Sequence, residues 1–183
     1  MSILIINNHD SFVYNLFYYI HSMGVKVDVV DNDGWADTSK YDKIIVSPGP
    51  GTPLSKRDAG NIIHMIENFT GPVLGVCFGH QILAHMLGSG IITLERPYHG
   101  EVDVVKHEES PLYDDVPPVF HAIRYHSLAV VPSDGIVVDA VSQSDGTVMG
   151  FHSPDMRIFG VQFHPESYFT EYGFKIIHNF VRL

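Results

Sequence analysis

The sequence predicts an α/β fold in one domain over residues 1–183, with a mostly parallel central sheet flanked by helices and an antiparallel β extension in the second half. Three observations lead to this prediction. In the first half of the chain, short apolar runs alternate with segments of helical periodicity, which is typical of buried parallel strands joined by helices. After Gly90, short β-rich runs follow one another closely. With 183 residues, the chain is also long enough to bury a full core.

The first half is predicted to open with a strand, a helix and a second strand. The apolar run "ILIIN" at 3–7 predicts a buried strand. In the segment 11–23, apolar residues recur at spacings of three and four, which predicts a helix that Asp10 or Ser11 caps and Gly24 ends. The other elements predicted in this half are strands at 25–30, 43–47 and 72–76 and a helical stretch at about 56–68.

The second half is predicted to be antiparallel because its β-rich runs are short and closely spaced. The turn signal "SDG" occurs between them at 133–135 and again at 144–146. A final amphipathic helix is predicted at about 172–181. The strand-like runs are "IITLE", "EVDVVKH", "SLAVVP", "IVVDAVSQ", "TVMGFHS" and "RIFGVQFH".

Composition and charge exclude several classes of function. Hydrophobic residues make up 45% of the chain and charged residues 17%, which is typical of a soluble globular protein. The 11 basic and 21 acidic residues give a net charge of −10, which disfavours nucleic acid and anionic membranes as partners. The chain has one cysteine, no signal-peptide pattern and no apolar run near the ~20 residues of a membrane span. These features predict a cytoplasmic location.

The one cysteine, Cys77, lies where an apolar run ends and a helical pattern begins. Gly75 and Gly79 flank it in the pattern G-x-C-x-G, which has the form of a nucleophile elbow. A helix N-terminus favours thiolate over thiol, and the backbone N–H groups that follow can stabilise an oxyanion. The glycine spacing favours this interpretation over a small buried core cysteine. The sequence therefore predicts that Cys77 is a nucleophile.

A thiolate nucleophile needs a base, and the base needs a group that orients it. His164 and Glu166 lie two residues apart in "GVQFHPESYF", at the predicted end of a strand. Residues at i and i+2 of an extended chain project to the same side, so both side chains can face one site. The alternative is a polar strand end on the surface. Together with the elbow, the pair predicts a Cys–His–Glu triad.

The loop "SPGPGTP" at 47–53 directly follows a predicted strand. Its prolines make it rigid, and its glycines leave it open to a ligand. Its backbone amides can complete an oxyanion hole or hold a carboxylate. A phosphate loop is the rival interpretation, but neither G-x-x-x-x-G-K-[ST] nor G-x-G-x-x-G occurs in the chain. A purely structural turn stays open as a third interpretation.

The 12 histidines raise the question of a metal site. They are scattered, and only His121 and His126 are near each other in the β-rich half. A zinc site needs three or four convergent ligands, and the one cysteine already has a predicted role. We therefore expect no metal site.

Several motifs together resemble those of class I glutamine amidotransferases, and the resemblance spans essentially the whole chain. It implies a flavodoxin-like sheet and a cysteine-dependent glutaminase activity. Two further motifs narrow the resemblance to the glutaminase components of anthranilate synthase and of aminodeoxychorismate synthase. The ordered family motifs are "SPGPGTP", "GVCFGHQ", "RYHSL" and "GVQFHPES", and the two narrower ones are "NNHDSFVYN" and "YHGE".

The resemblance also implies roles for individual residues. Cys77 would attack the side-chain amide of glutamine, His164 would transfer protons, and Glu166 would hold His164 in the useful tautomer. Other residues would bind the oxyanion or the two α-substituents of glutamine. These predicted substrate-binding residues are Gly49, Pro50, Gly51, Phe78, Gln81, Ser127 and Leu128.

For partners, the resemblance implies L-glutamine and a separate chorismate-binding synthase subunit in a heteromeric complex. No cofactor is expected on this chain, whereas Mg²⁺ is expected on the synthase subunit. Three alternatives stay open at this stage. They are a free-standing hydrolase or peptidase, a catalytically silent binding module, and an amidotransferase of guanine nucleotide, pyrimidine or histidine synthesis.

Overall fold

Eleven strands and five α-helices make up the computed structural model, which describes all 183 residues. The strands are β1 (Ser2–Asn7), β2 (Lys26–Asp31), β3 (Lys43–Val46), β4 (Val73–Val76), β5 (Gly90–Thr93), β6 (Glu101–His107), β7 (Val119–Arg124), β8 (Leu128–Val131), β9 (Val137–Ser142), β10 (Val148–His152) and β11 (Ile158–Val161). The helices are α1 (Val13–Ser22), α2 (Lys56–Ala59), α3 (Ile62–Ile66), α4 (Phe78–Met86) and α5 (Gly173–Arg182). None of these helices has the length and apolar composition needed to cross a lipid bilayer.

Nine strands form one sheet whose two halves run differently. Their order is β2-β1-β3-β4-β11-β10-β9-β6-β7. The pairs from β2 to β11 are parallel, and the pairs from β11 to β7 are antiparallel. Strands β5 and β8 form a separate two-stranded sheet, which the sequence did not predict. The predicted α/β class, with a parallel part followed by an antiparallel extension, is confirmed.

Both faces of the sheet are covered, because alternate residues of its parallel strands enter two different apolar cores. In β1, Ile3 and Ile5 point into the core formed with α1 and α5. Leu4 and Ile6 point into the core formed with α2, α3 and α4. Burial on both faces explains why these strands are continuous apolar runs in the sequence.

The helical stretch predicted at 56–68 is two short helices, α2 and α3. They are separated at Gly60, which has a φ of +53°. A Cβ at this position would lie 2.5 Å from the backbone oxygen of Asn32, so the chain turns where the loop after β2 approaches it. The final helix matches its prediction closely.

The carboxyl ends of the parallel strands meet at one edge of the sheet, as in other open α/β folds. The loop at 47–53 follows β3, and Cys77 follows β4. His164 and Glu166 come after β11. The topology therefore brings the three chemistry-bearing stretches of the sequence to one edge.

Candidate active site

Cys77 occupies a sharp turn between β4 and α4. Its φ of 52° and ψ of −100° are strained for a residue with a side chain. Its N–H donates to the Val161 carbonyl at 2.8 Å, and its carbonyl accepts from the Gln81 N–H at 3.1 Å. The strand–turn–helix placement predicted from the glycine spacing is confirmed, with the thiol at the N-terminus of α4.

Steric crowding requires glycine at both flanking positions of the elbow. A Cβ at position 75 would lie 2.3 Å from the carbonyl oxygen of Gly79. A Cβ at position 79 would lie 2.1 Å from the carbonyl oxygen of Val46, in the neighbouring strand. Gly75 and Gly79 thus let α4 pack directly against β3 and β4, which fixes where Cys77 points.

His164 and Glu166 form a buried pair, with 2.6 Å between Nδ1 of the imidazole and Oε1 of the carboxylate. The predicted location of this pair was wrong in one respect. Strand β11 ends at Val161, so both residues lie in the turn that follows, closed by the Ser167 N–H, which donates to the His164 carbonyl at 3.2 Å. They meet through this turn and not through the alternation of an extended strand.

The charges of both Glu166 and Cys77 act on the imidazole of His164. Burial disfavours the charged ring, but the Cys77 thiolate and the Glu166 carboxylate outweigh burial and raise the pKa of His164 well above its ordinary value. The other ring nitrogen, Nε2, is buried, and no hydrogen bond within the chain occupies it. This leaves Nε2 available to exchange a proton with the thiol or with a substrate.

A cavity of about 140 Å³ opens beside the elbow. It contains Cys77 and every predicted substrate-binding residue, whereas His164 and Glu166 are not among the residues that line it. The lining residues are Gly49, Pro50, Gly51, Cys77, Phe78, Gln81, Tyr125, His126, Ser127 and Leu128.

Gln81 has a fixed orientation in this cavity. Its Nε2 donates to the Leu128 carbonyl at 3.3 Å and to Oε1 of Gln162 at 3.0 Å. Because a carbonyl can only accept, Nε2 must face Leu128, and both amide hydrogens are used within the chain. Gln81 therefore has only its carbonyl oxygen left for a ligand.

The loop at 47–53 is held by two residues that sequence reasoning did not select. Asn8 donates from its N–H and from Nδ2 to Oγ and the carbonyl of Ser47, at 2.9 and 2.7 Å. Asp58 accepts from the Thr52 N–H at 3.0 Å through Oδ2. Asn8 belongs to the "NNHDSFVYN" motif, which was a usable signal, whereas nothing in the sequence marks Asp58.

Tyr125 and His126 are the other lining residues that were missed. The Tyr125 ring packs edge-on against the His164 ring, with 5.3 Å between centroids. Both residues belong to the "RYHSL" motif, from which only Ser127 and Leu128 were selected. Their position in that motif, next to the selected residues, was the signal that could have identified them.

Elsewhere, the structure brings no three potential metal ligands together. His121 pairs with Glu171, whereas His126 bonds to Arg124. A larger, open depression of about 1000 Å³ lies beside Tyr113 and Asn179 and contains none of the predicted site residues. Cys77 and the predicted substrate-binding residues line the smaller cavity instead.

Comparison with known proteins identifies the family of this chain. The family described as glutamine amidotransferase class-I matches residues 4–183. Anthranilate synthase component 2 of Methanocaldococcus jannaschii is 40% identical over 192 residues, which cover 98% of this chain and 95% of the relative. Aminodeoxychorismate synthase of Streptomyces griseus is 36% identical over 185 residues, which cover 98% of this chain and 26% of the relative.

Solved structures show the same fold. A GMP synthase subunit protein from Thermoplasma acidophilum superimposes with a TM-score of 0.89 at 24% identity, covering 100% of this chain and 92% of the other. The family match spans nearly the whole chain, and the component 2 relative is similar over nearly its full length. This chain therefore belongs to the class I glutamine amidotransferase family of enzymes.

Proposed function

We propose that this chain is the glutaminase subunit of anthranilate synthase. It hydrolyses L-glutamine and delivers the ammonia to a separate synthase subunit, which converts chorismate to anthranilate. The observation that carries the proposal is the strained elbow cysteine, placed in a small polar cavity beside a buried His–Glu pair. The relatives named anthranilate synthase component 2 support the choice of pathway.

In the first half of the reaction, the Cys77 thiolate attacks the carbonyl carbon of the side-chain amide of glutamine. The oxygen of this carbonyl becomes an oxyanion, and the backbone N–H groups of Gly49 and Phe78 stabilise it. Phe78 is the first residue of α4, so its N–H has no partner within the helix. The C–N bond then breaks, ammonia leaves with a proton from His164, and a glutamyl thioester remains on Cys77.

In the second half, His164 removes a proton from water, and the resulting hydroxide attacks the thioester carbonyl. The C–S bond breaks, which releases glutamate and restores the Cys77 thiolate. Glu166 keeps Nδ1 of His164 protonated throughout, so Nε2 is the nitrogen that exchanges protons. Both halves use only groups of this chain and water.

Glutamine is held by its α-substituents, away from the reacting amide. The free carbonyl oxygen of Gln81 suits the α-ammonium group, because an oxygen acceptor attracts a cation. The backbone at Ser127 and Leu128 suits the α-carboxylate. These contacts place the side-chain amide next to Cys77.

The test is the Cys77→Ser variant, reconstituted with an anthranilate synthase partner subunit. Glutamine-dependent anthranilate formation should fall by ~10³-fold or more, because the triad loses its nucleophile. Ammonia-dependent synthesis should be unchanged, since it bypasses this chain. Near-normal glutamine use by the variant would overturn the assignment of Cys77.

Aminodeoxychorismate synthesis is a second candidate, because a relative with that name aligns with nearly the whole of this chain. The glutaminase steps are identical in both cases. Reconstitution with each type of synthase subunit, followed by identification of the product, separates them. Glutamine-dependent activity with only the aminodeoxychorismate partner would replace the first proposal by the second.

A further inference from the structure

Behind the wall of the glutamine cavity lies a buried charged cluster centred on Arg124. The Arg124 side chain is 0% exposed. Its N–H groups bond to Oδ2 of Asp103 at 2.5 Å, Oδ2 of Asp145 at 3.0 Å, the Ser142 and Thr147 hydroxyls, and His126. All five guanidinium donors have acceptors, so the cluster is fully connected and rigid.

The contact with His126 determines the state of that ring. The Nε group of Arg124 donates to Nε2 of His126 at 3.0 Å, and arginine can only donate. Nε2 must therefore carry a lone pair, which places the proton of the neutral ring on Nδ1. Burial, together with the nearby Arg124 charge, lowers the pKa of His126 to about 4 and keeps the ring neutral.

The other side of the His126 ring reaches the cavity. Its Nδ1–H donates to the Leu128 carbonyl at 2.8 Å. The same carbonyl accepts from Nε2 of Gln81 at 3.3 Å, and Gln81 and Leu128 both line the cavity. One imidazole thus connects Arg124, which does not line the cavity, to two residues that do.

Tyr98 closes this arrangement from outside. The guanidinium carbon of Arg124 lies 3.4 Å from the centroid of the Tyr98 ring, and that ring also stacks on His126. The Tyr98 hydroxyl donates to Asp145 at 2.8 Å, and its N–H donates to the His126 carbonyl at 2.9 Å. The Tyr98 ring thus contacts both Arg124 and His126 and adds a cation–π interaction to the hydrogen bonds of the cluster.

We infer that Arg124 is a positioning residue for glutamine, which acts through His126 to hold the Leu128 carbonyl and, with it, the Gln81 side chain. Arg124 fixes the tautomer of His126, the tautomer fixes the donor to Leu128, and Leu128 fixes which end of Gln81 faces the ligand. The inference rests on the proposed function, since it assigns a role in the same glutamine site. It predicts an effect on substrate binding and none on the chemistry at Cys77.

The first test is Arg124→Lys, measured in the complex reconstituted with the synthase subunit. Lysine keeps the charge but cannot donate to His126 and to both aspartates at once. The KM for glutamine should rise roughly tenfold, the effect of losing one charge-assisted hydrogen bond. The kcat should stay within about twofold, because the triad is untouched.

Two His126 variants separate the hydrogen bond from Arg124 from the hydrogen bond to Leu128, in a chain that keeps Arg124. His126→Gln can still accept from Arg124 but loses the donor to Leu128, and His126→Asn keeps a donor near Leu128 but loses the acceptor for Arg124. We expect both to raise the KM for glutamine, with His126→Gln the larger. An unchanged KM for glutamine in His126→Gln would overturn the inference. This test can still be made if Arg124→Lys does not fold.

Asn179→Ala is the matched control for stability. Asn179 is also buried, and it donates to the Leu112 and Asp114 carbonyls, which do not line the glutamine cavity. The substitution should lower the melting temperature and leave the KM for glutamine unchanged. Equal KM values for glutamine in the parent, Arg124→Lys and Asn179→Ala would show that the Arg124 cluster is only structural. A parent protein without Cys77-dependent turnover would instead refute the proposed function.

Discussion

At the scale of single residues, Cys77 and His164 are the two groups to which the proposed reaction assigns most of the chemistry. Cys77 is held at a φ of 52°, a conformation that costs about 1–3 kcal/mol for a residue with a Cβ. Its hydrogen bonds to Val161 and Gln81 maintain this conformation. At only 6% exposure, the thiol can be reached through the cavity but hardly from elsewhere.

Removing the base and removing its orienting group should have different consequences. His164→Ala should lower glutamine-dependent kcat by about 10⁴-fold, because both halves of the reaction need a proton transfer. Glu166→Gln should cost less, since an amide oxygen can still accept from Nδ1 of His164. Steady-state kinetics on folded proteins of both variants will check this order, and a larger loss in Glu166→Gln would contradict it.

The protonation state of His164 gives a second residue-scale prediction. Its pKa is raised above the ordinary 6.5, so the folded state favours the charged ring. The resulting stabilisation is complete below pH 6.5 and is lost as the pH rises through the folded-state pKa. Because the Cys77 thiolate contributes to this shift, Cys77→Ser should move the titration of the His164 ring to lower pH.

An NMR titration of the imidazole signals in the parent and in Cys77→Ser will measure this difference. The remaining histidines serve as internal references. If the titration midpoint of the His164 ring is unchanged or lies at higher pH in Cys77→Ser, the thiolate does not face His164.

At the scale of elements, the packing of α4 against β3 and β4 depends on the two elbow glycines. Gly79→Ala would place a Cβ 2.1 Å from the Val46 carbonyl oxygen, which is backbone and cannot move aside. We expect a loss of about 2 kcal/mol or more in the free energy of unfolding, as for other overpacked sites. Urea denaturation will measure it.

Gly90→Ala is the matched control for this prediction. A Cβ at Gly90 would meet Val131 at 3.4 Å, which is ordinary contact, and the φ of Gly90 is not positive. Its free energy of unfolding should change by less than about 1 kcal/mol. Similar losses of unfolding free energy in the two variants would mean that steric crowding does not require glycine at position 79.

Local sequence patterns predicted the elements whose cause is local. The helix α1 follows from its apolar spacing, but the predicted cap at Asp10 or Ser11 was wrong, because the N-cap is Phe12 and no side chain caps the helix. The turn at Cys77 follows from the glycines on either side. The break at Gly60 was not predictable, because its cause is the backbone of Asn32, which arrives from another part of the chain. The turn that joins His164 to Glu166 was missed as well, because the strand-like run before it continues past Val161, where β11 ends.

In the candidate site, too, the residues that lie in local sequence motifs were the ones that could be predicted. Cys77, His164 and Glu166 each carry a recognisable motif. Arg124 stands in the "RYHSL" motif, but its bonding was not predictable, because its partners Asp103 and Asp145 come from β6 and from the turn after β9. A buried cluster assembled from several elements leaves no fixed spacing in the sequence.

At the scale of the whole molecule, exposed aromatic side chains occur next to the candidate site in space and close to it in the sequence. Phe12 packs near the rings of Tyr125 and His164 and is still partly exposed. Tyr168, two residues after Glu166, is 93% exposed, and the neighbouring Phe169 is exposed as well. Large aromatic side chains in such positions are enriched in protein interfaces.

We therefore expect the synthase partner to raise the glutaminase rate of this chain. A small movement of the loop at 47–53 would turn the Gly49 N–H away from the oxyanion, which costs ~10²–10³ in rate at comparable sites. The measurement is the rate of glutamate release by the purified chain, with and without chorismate and the synthase partner. Equal rates would contradict the expectation and favour a stand-alone hydrolase.

The junction between β4 and β11 also bears on the order in which the active protein forms. These strands are neighbours in the sheet, yet β5 to β10 all lie between them in the chain. Such a pairing closes a long loop, which costs chain entropy and slows folding. Cys77 follows β4 and His164 follows β11, so the thiol and the imidazole are brought together by this pairing. We therefore expect that, during refolding, glutamine-dependent activity returns no earlier than the pairing of β4 with β11.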